Sequence, residues 1–249
     1  SSPTEVILMK KVVITGAANG IGKATVKACI TEGFYVIAAD KDRVGLECLA
    51  AEVGCEQLEI QFADFSDFST IKSFIPGLYE KHGSLYALVN NAGVYHGKSV
   101  YRYTDKEIDD IWTVNLKALV YLSKDFAEGE MESKTFRSIV NITSVAGEVG
   151  SCDALYGATK AGVIGLTKAN AWNFAPYIRV NAVSPALVRE TAIHAMIPDY
   201  RREEYERQEV IKDPITPAGV ADVIVFLLSE KSRHLTGKIV AVDNGAYPR

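Results

Sequence analysis

Two groups of residues in this sequence are spaced for chemistry. The first is Thr15, Gly16, Ala17, Ala18, Asn19, Gly20, Ile21 and Gly22, a TGxxxGxG turn between a β-branched run and a helical segment. Glycines there let the backbone turn sharply and approach a pyrophosphate, whose charge the N–H groups and positive end of the following helix would meet. Gly22 would let that helix pack close on the strand. Asp40 ends the next β-branched run, where a carboxylate would accept hydrogen bonds from adenosine ribose hydroxyls and repel a 2′-phosphate. Lys41 and Arg43 follow it and would serve a 2′-phosphate, whereas Asn19 stands in the turn where a cation would help. The expected cofactor is therefore NAD, with NADP the alternative; outside this context Asp40 would read as an ordinary helix N-cap.

The second group is Tyr156 and Lys160. At i and i+4 on a helix the two side chains share a face, so the ammonium would sit beside the phenol and favour phenolate. An unperturbed tyrosine titrates near 10, too high for efficient proton transfer at neutral pH, and a neighbouring cation would lower it. Chance alone would place such a pair in a chain with 12 tyrosines. Its position singles it out: it follows a strand-like run and opens a helix of small residues, Gly157, Ala158, Ala161 and Gly162.

The elements that must position these groups alternate along the chain. Short apolar, β-branched runs predict strands at 11–15, 35–40, 58–64, 85–90, 138–143, 179–184 and 238–242. Stretches long enough for crossover helices lie between them at 22–32, 67–82, 105–128, 156–174 and 218–229. Near-continuous apolar strands between helices imply an α/β fold, a single-domain, Rossmann-type, doubly wound parallel sheet of seven strands with helices on both faces and ligands at the carboxyl ends. Residues 9–249 are expected to form this one domain, and residues 1–8, ahead of Met9, to be a leader or expression scar. Residues 189–213, rich in charge, predict a pair of short helices over the mouth of the site, a lid; a solvated surface excursion would look similar.

Composition excludes several classes. With 48% hydrophobic and 23% charged residues in 249, the chain is globular rather than disordered or fibrous. Lys plus Arg number 27 against 31 Asp plus Glu, leaving no basic excess for a nucleic-acid partner. No apolar run approaches the roughly 18 residues of a spanning helix, so a soluble, cytoplasmic protein with no membrane partner is expected. Cys29, Cys48, Cys55 and Cys152 have no CxxC spacing, so neither a disulfide framework nor a metal site is expected.

Taken together, TGAANGIG, Asp64, NNAG at Asn90–Gly93, Asn115, Ser144, YGATK at Tyr156–Lys160 and SPA at Ser184–Ala186 resemble the short-chain dehydrogenases/reductases, in that family's order and over residues 11–245. The resemblance implies hydride transfer between NAD(H) and a small or medium secondary alcohol or ketone, with cofactor bound first. Tyr156 would be the general acid/base, Lys160 its partner, Ser144 the donor to the substrate oxygen and Asn115 the holder of a water that extends a proton path. Asp64 would bind the adenine amine and Phe65 would border the cofactor. Asn91, Ala92 and Gly93 would line the adenosine side, and Pro185 and Val188 the carboxamide. A homotetramer or dimer is expected, with residues 114–122 and 163–174 carrying apolar side chains for packing.

The sequence also departs from the family's pattern. Ala186 stands where a glycine is usual and would shift the loop that meets the nicotinamide. Glu190 replaces a threonine that here appears as Thr191, predicting a one-residue rearrangement, and the Ser144–Tyr156 interval is one residue short, predicting a tightened loop around Glu148 and Cys152. The expected substrate pocket is Val94, Tyr95, His96, Val145, Ala146, Val149, Leu155, Leu187, Ile193, His194 and Met196, mostly apolar; the histidines would more ordinarily be packing residues. Two alternatives remain at this stage. One is a 3-oxoacyl reductase using NADPH and an acyl carrier, although Thr135 and Tyr177 occupy positions where basic residues would dock that carrier. The other is a non-catalytic NAD-binding sensor, against which the complete Asn115, Ser144, Tyr156 and Lys160 set argues.

Overall fold

Runs of Val, Ile and Ala leave no polar face on the inner strands, and the chain resolves this by covering both sides of one sheet. The computed structural model describes residues 9–247, so the leader expected at 1–8 lies outside the described residues. The strands are β1 (Lys11–Thr15), β2 (Tyr35–Asp40), β3 (Leu58–Phe62), β4 (Ala87–Asn90), β5 (Arg137–Ile142), β6 (Ile178–Pro185) and β7 (Ile239–Val242). All seven are parallel in the order β3-β2-β1-β4-β5-β6-β7. The helices are α1 (Gly20–Thr31), α2 (Arg43–Val53), α3 (Phe68–His82), α4 (Asp105–Trp112), α5 (Ala118–Glu128), α6 (Ala146–Val149), α7 (Ala154–Asn173), α8 (Ala192–Met196), α9 (Asp199–Gln208) and α10 (Pro217–Leu228).

The period of two along each strand divides the core. Val12 and Ile14 of β1, with Val36 and Ala38 of β2, pack beneath Val26 of α1, Leu46 and Leu49 of α2 and Ile224 and Leu227 of α10. Val13 and Ile37 face the other way, into Ile71 and Ile75 of α3 and Leu122 and Phe126 of α5. A one-residue slip of either strand would exchange these two sets, so the register is strongly specified. Parallel connections then place the carboxyl ends of β1 and β4, where the strand order reverses, along one edge of the sheet.

The expected strands are all present, with ends shifted by a few residues. Residues 105–128 do not form one helix: α4 and α5 are separated by a π-helical turn, Thr113–Lys117, that contains Asn115. No helix among the described residues is long and apolar enough to cross a membrane.

Candidate active site

A cavity of about 640 Å³ runs along the carboxyl edge of the sheet. One end is the glycine turn. Gly16 and Gly20 have φ of +66° and +53°, and a Cβ on Gly16 would come within 2.8 Å of the Ala92 backbone. A Cβ on Gly22 would lie 2.0 Å from the Gly16 carbonyl oxygen, so Gly22 packs behind the turn and does not line the cavity. The Asn91 amide donates to the Thr15 and Gly16 carbonyls at 3.1 and 2.9 Å, and the Thr15 hydroxyl accepts from the Asn91 and Ala92 N–H groups. The chain after β4 thus braces the turn from behind.

Asn19, at the N-cap of α1, makes no capping bond with its side chain; its amide donates instead to Asp42 at 3.2 Å. The first turn of α1 carries no acidic residue, so its N–H groups and positive end face the cavity without an internal anion. At the end of β2, the Asp40 carboxylate accepts from the Ala18 N–H at 3.0 Å and the Asp42 N–H at 2.9 Å. Asp64 is held below the usual carboxylate range by the Ser66 backbone N–H and hydroxyl, aided by Lys41. Asp40, Lys41, Asp64 and Phe65 line the cavity together with Gly16, Asn19, Gly20, Ile21, Asn91, Ala92 and Gly93. An uncapped helix N-terminus, a cradle that a Cβ would fill and a fixed carboxylate beyond it fit a dinucleotide, with pyrophosphate at the turn and adenosine toward Asp40.

The other end is built on β5 and α7. Thr143 donates to the Lys160 carbonyl at 2.7 Å and Lys160 Nζ to the Ile142 carbonyl at 2.9 Å, locking α7 to the end of β5. Lys160 Nζ lies 5.6 Å from the centre of the Tyr156 ring. Burial pulls the Lys160 pKa down to about 8. It also pushes the Tyr156 phenol up to about 12, a rise that the hydrogen bond with Ser144 opposes. Burial thus opposes the phenolate expected from Lys160 together with the positive charge of an oxidised nicotinamide. Ser144 stands two residues beyond β5 rather than within it, and its Oγ also accepts from the Ala146 N–H at 3.1 Å.

Asn115 does not line the cavity. Its side chain is buried in the π turn, where Oδ1 accepts from the Val94 N–H at 2.8 Å and Nδ2 donates to the Val94 carbonyl at 2.9 Å and Thr159 at 3.2 Å. These bonds join the loop after β4 to α7 and account for the local widening of the helix. A Cβ on Gly93 would lie 3.5 Å from Asn115 Oδ1 and 3.6 Å from Lys160 Nζ, so the three residues converge.

Tyr95, Val145, Leu187 and Ile193, with Val94, Ala146 and Met196, line the cavity as expected, as do Pro185 and Val188. His96, Val149, Leu155 and His194 do not. The His96 ring meets Tyr103 edge-on at 5.6 Å, Val149 is half exposed and Leu155 packs with Ile111 and Ala146. His194 borders a separate small pocket with Arg189 and Glu206.

Both departures near β6 resolve locally. Ala186 has no positive φ, and the left-handed conformation falls instead on Glu190, at +61°. This turn carries Thr191 to the glycine loop, where a Cβ on Gly20 would meet Thr191 Cγ2 at 3.5 Å. The short loop between Ser144 and Tyr156 is drawn onto β6, where Ser184 donates to Glu148 at 2.6 Å.

Two functional features lay outside the expectations. Asp153, fully buried, caps α7 and accepts from the backbone N–H groups of Tyr156, His96 and Gly97 and from the Tyr103 hydroxyl. An Asp three residues before the tyrosine is a recognisable N-cap signal, but its partners come from a distant loop. The second is that Tyr200, Arg201 and Tyr205, none of them expected there, line the cavity from the charge-rich segment. Within residues 189–213 the chain forms α8 and α9, and Met196, Tyr200, Arg201 and Tyr205 reach the cavity from them.

A seven-stranded parallel sheet with a dinucleotide cradle at one end of its cavity and a Ser–Tyr–Lys group at the other defines a nucleotide-dependent oxidoreductase. The comparisons agree. Residues 16–247 match the family model described as enoyl-(acyl carrier protein) reductase. The chain is 35% identical over 240 residues to the 3-oxoacyl-(acyl-carrier-protein) reductase FabG of Thermotoga maritima, covering 95% of this chain and 97% of that protein. It is 34% identical over 246 residues to the 7alpha-hydroxysteroid dehydrogenase of Bacteroides fragilis, covering 95% and 93%. A Brucella melitensis structure described as a short-chain dehydrogenase/reductase of the glucose/ribitol dehydrogenase type superposes with a TM-score of 0.87 at 30% identity, covering 96% and 97%. The chain belongs to the short-chain dehydrogenase/reductase family and is an NAD(P)-dependent oxidoreductase.

Proposed function

We propose that this enzyme reduces a small or medium ketone to a secondary alcohol with NADH, using Tyr156 as the general acid. The observation that carries this reading is the buried Tyr156 phenol, hydrogen-bonded to Ser144 and 5.6 Å from Lys160 Nζ by its ring centre, at the apolar end of the cavity. Asn19, Gly20, Ile21 and the α1 N-terminus would hold the pyrophosphate, Asp40 the ribose, Asp64 and Phe65 the adenine side, and Pro185 and Val188 the carboxamide. The reduced nicotinamide supplies the hydride when bound. Ser144 Oγ donates to the substrate carbonyl oxygen and holds it against Tyr156. Tyr156 gives its proton to that oxygen as the alcohol forms, and in the reverse direction its phenolate takes the alcohol proton. Lys160, held by the Ile142 carbonyl, offsets the negative charge left on Tyr156; Asn115 fixes the loop after β4 beside it.

Preference for NADH over NADPH rests on Asp40, whose carboxylate would repel a 2′-phosphate, against Lys41 beside it. The relatives named as 3-oxoacyl-(acyl-carrier-protein) reductases support a second reading, an acyl-thioester reductase. Thr135 and Tyr177 supply no cation for an acidic carrier, which favours the first. We further propose a homo-oligomer, because the outer face of α7 is a small-residue surface of Ala158, Ala161, Gly165 and Ala169 ending in the exposed Trp172; a monomer by light scattering at micromolar concentration would refute this. The function is tested by titrating NADH and NADPH separately, then adding a panel of ketones and reading the reduced-nicotinamide absorbance. Turnover with NADH binding supports it, and absence of NADH binding would overturn it.

A further inference from the structure

We propose that Arg201, on the inner side of the lid, selects ketone substrates that carry a carboxylate. The inference rests on the reductase reading above and adds the substrate class. Among the described residues, the charged side chains lining the cavity are Asp40, Lys41, Asp64, Lys160 and Arg201. Asp40, Lys41 and Asp64 belong to the adenosine end, and Lys160 is bound to the Ile142 carbonyl. The substrate end therefore has one outward cation and no carboxylate lining it. Around it stand hydroxyl donors and aromatic rings, Tyr95, Ser99, Ser151, Tyr200 and Tyr205. A guanidinium presents a fork that matches a carboxylate edge, and one such fork suits a singly charged anion.

The neighbouring arginine shows what a merely structural role looks like here. Arg202 donates to the His194 and Ile197 carbonyls at 2.9 Å each and also pairs with Asp199, so it ties α9 to the end of α8. Arg201 makes no such tie. Its guanidinium pairs with Glu204, one turn along the same helix, at 2.5 Å, and lies 5.7 Å from the Tyr205 ring centre. Both members of that pair are partly exposed, at 32% and 43%. Such an i,i+3 pair contributes little to stability; together with a hydrogen bond to Tyr205 it orients the guanidinium, whose five N–H groups exceed these two partners. A substrate carboxylate docked there would place the reacting carbonyl deeper, toward Ser144 and Tyr156, with the apolar wall of Ile193 and Met196 along its chain.

The test is made on the NADH-saturated enzyme by calorimetry, with butanoate, hexanoate and octanoate against their primary amides as matched probes. At least one acid should bind about tenfold or more tightly than its amide. Arg201→Gln should bring that ratio toward one without lowering the melting temperature, Arg201→Lys should restore part of it, and Glu204→Gln should raise it. Equal binding of acids and amides by the wild-type enzyme, or an unchanged ratio in Arg201→Gln, would overturn the proposal. In parallel, turnover of 3-oxohexanoate and its methyl ester separates the two claims. Acid selectivity without turnover of any ketone would leave the anion site standing and remove the reductase reading; turnover without acid selectivity would do the reverse.

Discussion

The carboxylate of Asp153 accepts a hydrogen bond from the backbone N–H of Tyr156 at 3.1 Å, so the helix that carries Tyr156 begins on a fully buried side chain. The same oxygen accepts from the Tyr103 hydroxyl at 2.6 Å, and the other accepts from Gly97 and His96 at 2.9 and 3.2 Å. One side chain thereby sets the position of Tyr156 relative to the loop after β4, which carries Tyr95 edge-on to the Tyr156 ring at 5.1 Å. Asparagine at this position would offer an NH2 group to one of the two donor pairs. Asp153→Asn should therefore cost about 2 kcal/mol of stability, seen as a fall of roughly 4–8 °C in melting temperature. Ketone turnover should drop by about tenfold or more as the acid loses its register, with NADH affinity within a few-fold. An unchanged kcat in a folded Asp153→Asn enzyme would contradict this positioning role.

Burial shifts Tyr156 and Lys160 in opposite directions, and the signs give a pH profile. Tyr156 rises from 10.0 to about 12, so it stays protonated throughout the neutral range. Its contribution to stability is complete below pH 10 and is lost as pH rises through the folded value. Lys160 falls from 10.5 to about 8; the cost of burying its charge is complete below about pH 8 and disappears as pH approaches 10.5. Reduction should accordingly be flat across neutral pH and change first near pH 8. The stability of the wild-type protein relative to Lys160→Met should rise between about pH 8 and 10 in chemical denaturation. A relative stability that is constant over this window would contradict the buried, shifted lysine.

In the proposed reading, cofactor choice turns on Asp40. Replacing it with alanine removes the repulsion of a 2′-phosphate, and it also removes the acceptor for the Ala18 N–H in the glycine turn. Both cofactors should weaken, so the ratio is the informative quantity. Asp40→Ala should lower the preference for NADH over NADPH by about tenfold, equivalent to roughly 1.4 kcal/mol. Equal weakening of both would mean that the carboxylate holds the turn but does not read the ribose.

Glu190 sits at φ +61°, a conformation that disfavours a residue with a Cβ, while its side chain is exposed. Glu190→Gly should relieve the strain and raise stability by up to about 1 kcal/mol, measured by thermal unfolding. A destabilised Glu190→Gly protein would mean that the side chain, rather than the turn, is what the site needs.

These features differ in how far the sequence disclosed them. The glycine turn, Asp40, Tyr156 with Lys160, and the strands were legible because each depends on local spacing: a turn, a period of two, an i and i+4 pair. Two things were not. The titration of Tyr156 depends on how deeply it is buried, which spacing does not show, and the partners of Asp153 come from residues 96–103, brought to α7 only by the crossover of the chain. Arg201 belongs to a charge-rich run in which nothing local distinguishes it from Arg202; only the packing of α8 against α9 assigns one to the scaffold and the other to the cavity.

The central claim is that Tyr156 donates the proton, and Tyr156→Phe tests it most directly. The ring remains to pack against Tyr95, and the hydroxyl alone is lost. NADH titration of wild type and variant should give affinities within a few-fold, while ketone reduction, followed at the reduced-nicotinamide absorbance, should fall by about two to four orders of magnitude. Substantial turnover by Tyr156→Phe would show that another group supplies the proton and would contradict the proposed mechanism.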